Sequence, residues 1–170
     1  AGPAGTVFVP LMGDNGMEGD SFGGEAAATW HARPDWRLSG HYALLKLELE
    51  RGALLPGSAE AAEEHSPAHQ AALRSSWDLA PAVELDLAGR FVDKIRGFNP
   101  NGARGVADEV GAYAELDARL AWRPRPGLEL ALVGQNLLDE HHAEFGTNAF
   151  IPSPSVEVRR SVSGSLTWRF

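Results

Sequence analysis

His141, His142 and Glu144 form the most compact group of side chains in this chain that could bind a metal ion. Imidazole nitrogens and carboxylate oxygens are common zinc ligands. Adjacent residues point apart unless their loop is bent, and no third His or Cys follows at a fixed spacing. His65 and His69, spaced i, i+4, would align only on a helix. We therefore expect no metal or cofactor site, and a solvated loop at 140–144.

Paired carboxylates are the second candidate for chemistry, because two nearby carboxyl groups can act as general acid and base. They recur at alternate positions in the segments 83–95 and 110–122, and arginines occur at matching positions. This pattern favours a charged wall whose acids and arginines pair across strands. No nucleophile motif, phosphate loop or cofactor signature accompanies them, so we predict that the chain is not an enzyme. The expected wall consists of Arg74, Glu84, Asp86, Arg90, Glu115, Asp117 and Arg119.

The segments that carry these charges alternate between apolar and polar residues, which predicts strands with one apolar and one polar face. Seven segments can be read this way: 22–33, 36–50, 67–79, 83–95, 110–122, 128–139 and 161–170. A short apolar run at 6–12 is the eighth predicted strand. Within 36–50 the alternation changes phase at Leu44 and Leu45, which predicts a β-bulge. The expected fold is all-β, an antiparallel meander of about eight long strands.

The connections between the predicted strands alternate in length. Short turns are expected at Pro34, at Pro81 and at 124–127, and long loops at 13–21, 51–66, 97–109 and 140–156. In an antiparallel meander this alternation places all long loops at one rim and all short turns at the other. Outer-membrane barrels have this asymmetry, with short periplasmic turns and long external loops.

The tryptophans collect near the short turns. All five are predicted on the apolar side of their strands: Trp30, Trp36, Trp77, Trp122 and Trp168. The last strand, SVSGSLTWRF, alternates without interruption and finishes on Phe170. Aromatic residues at one depth are typical of a membrane interface, with the apolar face toward lipid and the polar face toward the lumen.

Composition restricts the class of function. The net charge of −8 argues against nucleic acid as a partner. The mean hydropathy of −0.22 does not exclude a membrane β-barrel, because every second residue of its strands can be polar. The absence of cysteine excludes a disulfide scaffold and thiolate metal sites, and it suits export through an oxidising compartment.

Several blocks of sequence resemble the C-terminal barrel part of TonB-dependent outer-membrane receptors. These blocks are WRLSGHYALLKLEL, SPAHQAALRSSWDL, AYAELDARLAWRPRPGLELALVGQNLLDEHHAEFG and RSVSGSLTWRF. The resemblance implies a curved part of a 22-stranded barrel over 1–170, with no plug domain and no TonB box in this chain. It implies uptake of a ferric siderophore, haem or cobalamin across the bacterial outer membrane with energy relayed by TonB.

The same resemblance implies the partners of the chain. They are the lipid bilayer, the missing plug domain and barrel strands, TonB through the missing N-terminal part, an iron chelate or similar small ligand, and the barrel-assembly machinery. Alternating apolar side chains on an exposed terminal strand suit recognition by strand addition. The expected assembly signal is Leu166, Trp168 and Phe170.

Three other interpretations remain open. The first is a complete eight-stranded outer-membrane barrel with a structural or adhesive role. The second is a soluble ligand-binding barrel with an apolar lumen, which the outward or inward direction of Trp30, Leu85, Leu120 and Trp168 would test. The third, an acid–base hydrolase, is supported by the carboxylates alone.

Overall fold

The computed structural model describes residues 17–51, 63, 65–96, 109–144 and 157–170. Eleven strands lie in these ranges: β1 Met17–Arg33, β2 Trp36–Arg51, β3 His69–Ala80, β4 Val83–Val92, β5 Ile95–Arg96, β6 Glu109–Val110, β7 Tyr113–Arg125, β8 Leu128–Gln135, β9 His141–Ala143, β10 Glu157–Arg159 and β11 Ser161–Trp168. No helix of the described ranges is long and apolar enough to cross a membrane.

Seven of these strands form one sheet in the order β1-β2-β3-β4-β7-β8-β11. Every neighbouring pair is antiparallel, and each long strand pairs with the long strands that precede and follow it. Two small antiparallel pairs, β5–β6 and β9–β10, extend the β4–β7 and β8–β11 connections. The predicted antiparallel meander is therefore confirmed, while the predicted strand at 6–12 lies outside the described residues.

Two predictions about the first hairpin are wrong. The loop predicted at 13–21 already belongs to β1 from Met17 onward, because this segment pairs with the long second strand as far as Arg51. The bulge predicted at Leu44 and Leu45 is absent from the β1–β2 pairing, whose register runs unbroken through both residues. The phase change arises because apolar residues move to the opposite face of a regular strand.

Several boundaries also differ from prediction. The segment 83–95 breaks after Val92 into β4 and β5, and 110–122 is divided into β6 and a longer β7 that continues to Arg125. The predicted strand 128–139 ends at Gln135, because Asn136 has a φ of 50° and leaves the extended conformation. The predicted loop 140–156 instead begins with β9 at its second residue.

Residues directly opposite each other in the ladder share a face of the sheet, so the register defines two faces. The apolar face carries all five tryptophans, each near a short turn, and Leu85 and Leu120 lie on it as well. The charged face carries the acids and arginines of β3, β4 and β7. The four side chains that test the soluble-barrel interpretation thus lie on one face, where Trp30 and Trp168 are 63% and 61% exposed.

In the first hairpin, the polarity of the two faces is exchanged in the part that lies away from the Pro34 turn. Leu45, Leu47 and Leu49 lie on the face that carries the charges elsewhere. Lys46 and Glu48 lie on the apolar face and form an ion pair of 2.7 Å. The regular β1–β2 ladder continues through this exchange to Met17↔Arg51. The exchange therefore arises from the order of apolar and polar residues along the strands and not from a backbone irregularity.

A register shift precedes each of the three short turns. The shifts lie between His31 and Arg33, between Asp78 and Ala80, and between Trp122 and Arg125. One extra residue on the strand that enters the turn bends it and changes which face the next side chain occupies. After its shift Arg125 pairs with Leu128, which lies on the apolar face. These shifts therefore move the ends of β1, β3 and β7 onto that face.

Few apolar side chains are buried among the described residues. They are Val92, Val110, Ala121 and Ala131, and the two alanines lie opposite each other on the charged face. Large apolar side chains on the other face stay open, among them Leu73 and Leu132 at 58% and 55% exposure. Burial is thus inverted relative to a soluble sheet, in which the apolar face is covered.

Candidate functional site

The charged face brings together all seven residues predicted for the charged wall. Each lies on β3, β4 or β7, and the register places them side by side: Asp86 opposite Arg119 and Arg90 opposite Glu115, with Arg74 and Asp117 both opposite Ala88. The predicted cross-strand pairing of acids with arginines is present in the structure. The pairs form two clusters at different positions along the strands.

The first cluster, which we call the Asp86 network, is centred on a carboxylate that is 7% exposed. Asp86 Oδ1 accepts hydrogen bonds from Ser76 Oγ at 2.7 Å and from Arg74 Nη2 at 3.1 Å. Its other oxygen lies 3.6 Å from Arg119 Nη1. Both carboxylate oxygens therefore face partners, as a buried charge requires.

Arg119 and Arg123 extend the network toward the short turns. Arg119 donates to Glu129 at 2.7 Å and lies 3.7 Å from Glu84. Arg123 contacts the same two acids, Glu84 at 2.9 Å and Glu129 at 2.8 Å. The sequence prediction missed Arg123, because it ended the strand at Trp122 and placed the short turn at 124–127. The alternation of β7, continued past Trp122, would have placed Arg123 on the charged face.

The second cluster, which we call the Tyr113 cluster, joins β4, β7 and β9. Arg90 donates to Glu115 at 2.7 Å and also to Glu144. The Tyr113 ring stacks on the His142 ring with centroids 4.3 Å apart, and the Arg90 guanidinium lies 5.5 Å from the Tyr113 centroid. The segment after β8 is thus fastened over the charged face by an arginine shared between two carboxylates and by ring stacking.

Asn136 fixes the end of β8 beside the Tyr113 cluster, and it is 2% exposed. Its backbone N–H donates to Asp117 at 2.9 Å. Its side-chain Nδ2 donates to Val158 O at 3.3 Å and to His142 Nδ1 at 3.2 Å. One residue therefore connects the sheet to both strands of the β9–β10 pair. This burial could not be predicted from the sequence, because Asn136 is polar and lies near the end of a predicted strand.

The weak metal candidates are divided by the structure. His142 and Glu144 come together with Glu115, their ligand atoms within 4.8 Å of one another. His141 points elsewhere and lies 3.9 Å from Glu157.

The contacts around His142 differ from those of a typical metal site. Arg90 pairs with both Glu115 and Glu144. Because an amide nitrogen can only donate, Nδ1 of His142 accepts from Asn136 and the ring proton lies on Nε2. Nε2 is 3.1 Å from Glu115 Oε1, outside hydrogen-bonding angles. A metal-bound histidine normally donates from its other nitrogen, whereas Nδ1 of His142 accepts here.

The contacts of the carboxylates also argue against the acid–base interpretation. A general acid or base must be free to exchange a proton with a substrate. Within the Asp86 network, each of the carboxylates of Glu84, Asp86 and Glu129 lies within 4.0 Å of two arginines. Such pairing occupies the carboxylate oxygens, which suits a wall. His69, of the second histidine pair, begins strand β3 rather than a helix, and its ring is hydrogen-bonded to the Tyr42 hydroxyl at 2.7 Å.

No family model matches the sequence, and no curated protein matches it. Solved structures do match. The ferric-catecholate import receptor Fiu of E. coli K12, in its closed form, aligns with 89% of this chain at a TM-score of 0.74 and 19% identity. The ferric yersiniabactin uptake receptor FyuA of Yersinia pestis aligns with 92% at 0.69 and 20% identity, and the siderophore receptor PiuA of Acinetobacter baumannii with 88% at 0.68 and 20% identity.

The chain spans about a fifth of the length of these structures: 21% of Fiu, 24% of FyuA and 22% of PiuA. At such identities a match speaks for the fold. The antiparallel sheet belongs to the same architecture. The described part of this chain therefore has the fold of a segment of the TonB-dependent receptor barrel.

Proposed function

We propose that this chain is part of an outer-membrane receptor that takes up a scarce ligand, of the ferric-chelate type, with energy relayed by TonB. The observation that carries the proposal is the inverted polarity of the sheet. The apolar face is open and has five tryptophans at the short-turn rim, while the acids of the opposite face are paired and partly buried. A lipid-facing exterior and a polar lumen require this arrangement.

The dimensions of the apolar face support a membrane position. On β2 it extends from Trp36 to Leu44, after which Lys46 and Glu48 occupy the same face. The ten residue-to-residue intervals from Trp36 to Lys46 span about 33 Å along the strand, or about 25 Å across a membrane at the usual tilt of 35–45°. This is the height of the apolar band of outer-membrane barrels. The tryptophans then mark the periplasmic interface, and the long connections lie outside.

The charged face forms the lumen wall in this proposal and meets the plug domain of the complete receptor. Fiu, FyuA and PiuA are named for import or uptake of iron chelates or as a siderophore receptor, which supports a chelate as the ligand class. Haem and cobalamin are further members of the proposed class. TonB and the plug would be reached through parts of the receptor beyond these residues.

A complete eight-stranded barrel is the alternative. The described part of the chain contributes seven strands to the sheet, with β1 and β11 at its two edges. Edges in a membrane need partner strands. The proposal assigns these partners to the other strands of a larger barrel, because the chain aligns with only about a fifth of each matched receptor. A soluble barrel with an apolar lumen would need the buried side chains on the apolar face, whereas they lie on the other one.

The proposal is tested on the full-length gene product that contains this segment. We expect it in the outer-membrane fraction, with slower electrophoretic migration after boiling, as folded barrels show. Cells that lack the gene should lose uptake of a radiolabelled ferric chelate and regain it when the full-length gene is supplied. Recovery in the soluble fraction would refute the membrane position. Correct membrane insertion with unchanged uptake of a panel of ferric chelates, haem and cobalamin would refute the transport function.

The assembly proposal for Leu166, Trp168 and Phe170 is separate. On β11 the first two project from the apolar face of an edge strand, and the Trp168 and Phe170 rings contact edge to face at 6.4 Å. An edge strand with alternating apolar side chains can add to an exposed strand of a partner. We propose that the barrel-assembly machinery recognises these side chains.

A further inference from the structure

Arg125 lies on the apolar face, where an arginine is unexpected. Regular alternation along β7 would give it the face of Arg119 and Arg123. The register shift after Trp122 instead places it opposite Leu128. Its guanidinium carbon lies 5.9 Å from the centroid of the Trp168 ring, which belongs to the same face. The bulge therefore delivers one cation to the apolar face at its short-turn end.

This cation has no carboxylate partner among the described residues, since no acid of those ranges lies within 4.0 Å of it. Arg33, which the shift at the end of β1 moves to the same face, differs in this respect because Asp35 lies 3.1 Å away. Arg125 keeps its positive charge available, and its contact with an aromatic face orients the guanidinium.

A shallow apolar groove of ≈ 460 Å³ lies on the same face, where β7, β8 and β11 are adjacent. The Leu128–Trp168 pair separates it from Arg125. The floor of the groove is Gly164, which lies opposite Leu132 and lacks a side chain. The walls include Leu120, Trp122 and Leu166. A Cβ built on Gly164 would meet no atom nearer than 3.9 Å, so the hollow is real space rather than tightly packed backbone.

We propose that Arg125 and this groove bind one anionic phospholipid, with its phosphate at Arg125 and Trp168 and an acyl chain over Gly164. The proposal rests on the membrane position proposed above. Charge complementarity selects the headgroup, because a cation without a partner at the lipid interface attracts anionic lipids. The apolar lining of the groove favours an acyl chain. The position of the site at the short-turn rim places the lipid in the periplasmic leaflet.

The dimensions agree with this occupant. Four residues separate Trp168 from Gly164 on β11, and four separate Leu128 from Leu132 on β8. Each interval corresponds to about 13 Å along the strand. One leaflet contributes about 15 Å to the hydrocarbon core. At the usual tilt, the stretch from the Leu128–Trp168 pair through the groove to Gly164 therefore covers about 10 Å across the membrane, or about two thirds of one leaflet.

The test uses the full-length gene product, purified in mild detergent and analysed by native mass spectrometry with added phosphatidylglycerol or phosphatidylethanolamine. Arg125→Gln should weaken phosphatidylglycerol binding by about fivefold, the value of one interfacial cation, and leave phosphatidylethanolamine unchanged. Gly164→Leu fills the groove and should reduce retention of both lipids. Inorganic phosphate should not displace the bound lipid, because the acyl chain supplies part of the affinity.

Matched controls come from the same sheet. Arg37→Gln removes an exposed arginine of the charged face, and Gly89→Leu fills an apolar-face glycine whose Cβ would also have 3.9 Å of space. Both should leave lipid binding unchanged. Equal losses in the controls, or unchanged phosphatidylglycerol binding in both test variants, would overturn the proposal. Membrane fractionation and heat-shifted migration of each variant report on the barrel itself, so failure of the proposed function would be seen separately.

Discussion

Asn136 should be the most sensitive polar residue at the end of β8. Asn136→Ala removes the side-chain donor that serves His142 and Val158, at 3.2 and 3.3 Å, and it keeps a Cβ at a φ of 50°. Two lost hydrogen bonds cost about 2 kcal/mol together. The left-handed conformation adds about 1 kcal/mol, because Ala tolerates it less well than Asn. We expect a loss of about 3 kcal/mol in the free energy of unfolding.

Asn136→Gly separates the two contributions. Glycine loses the same hydrogen bonds but adopts the positive φ without steric cost, so it should be less destabilising than Ala by about 1 kcal/mol. Leu138→Ala, at a side chain that is 60% exposed, serves as control and should change stability by less than about 0.5 kcal/mol.

The assay is urea unfolding of the full-length protein in lipid vesicles, followed by tryptophan fluorescence. Hydrogen exchange of the 157–159 amides measures the local contribution, because Asn136 binds the Val158 carbonyl. A glycine variant as stable as the parent would refute the role of the side-chain hydrogen bonds. An alanine variant no less stable than the glycine variant would refute the conformational contribution.

Three further predictions concern other parts of the sheet. Leu120→Arg places a charge on the open apolar face and should destabilise the barrel in vesicles by about 2–4 kcal/mol, whereas Ser163→Arg on the charged face should be tolerated in the same urea titration. Gly127→Ala should lower the folded fraction after refolding, because Gly127 has a φ of 79° and its Cβ would lie 2.5 Å from a carbonyl oxygen; Gly111→Ala, with no atom within 4 Å, is the control. Phe170→Ala in the full-length receptor should reduce the amount in the outer membrane far more than the Tm of the inserted protein, and normal membrane levels would exclude an assembly role.

Local signals made the sheet predictable. The alternation of apolar and polar residues identified the long strands, and Pro34 and Pro81 identified two of the three short turns. Each signal lies within a few residues, so it needs no knowledge of the partner strand. The same locality caused the errors: the Gly- and Asp-rich start of β1 resembles a loop until its partner strand is known.

The residues of the charged face could be predicted from the sequence, but the contacts among them could not. Periodicity assigned Asp86 and Arg119 to one face, because that follows from parity alone. The Tyr113 cluster brings Glu115 and His142 together across 27 positions, and no local pattern encodes such a meeting. The bulge that moves Arg125 to the apolar face was hidden for a related reason, since one extra residue before the turn reverses the face of the side chains that follow it on the same strand.

In the proposed membrane position, the exchange of polarity beyond Leu44 would divide the first hairpin into a part in lipid and a part in water. β2 has 16 residues and is about 53 Å long, so at the usual tilt it would rise about 40 Å, well beyond an apolar band of about 25 Å. The remaining part would project from the membrane as a two-stranded ribbon, with Lys46 and Glu48 exposed to the medium. If the proposed position is correct, an antibody raised against this ribbon, or a fluorophore that reacts with Lys46, should label intact cells.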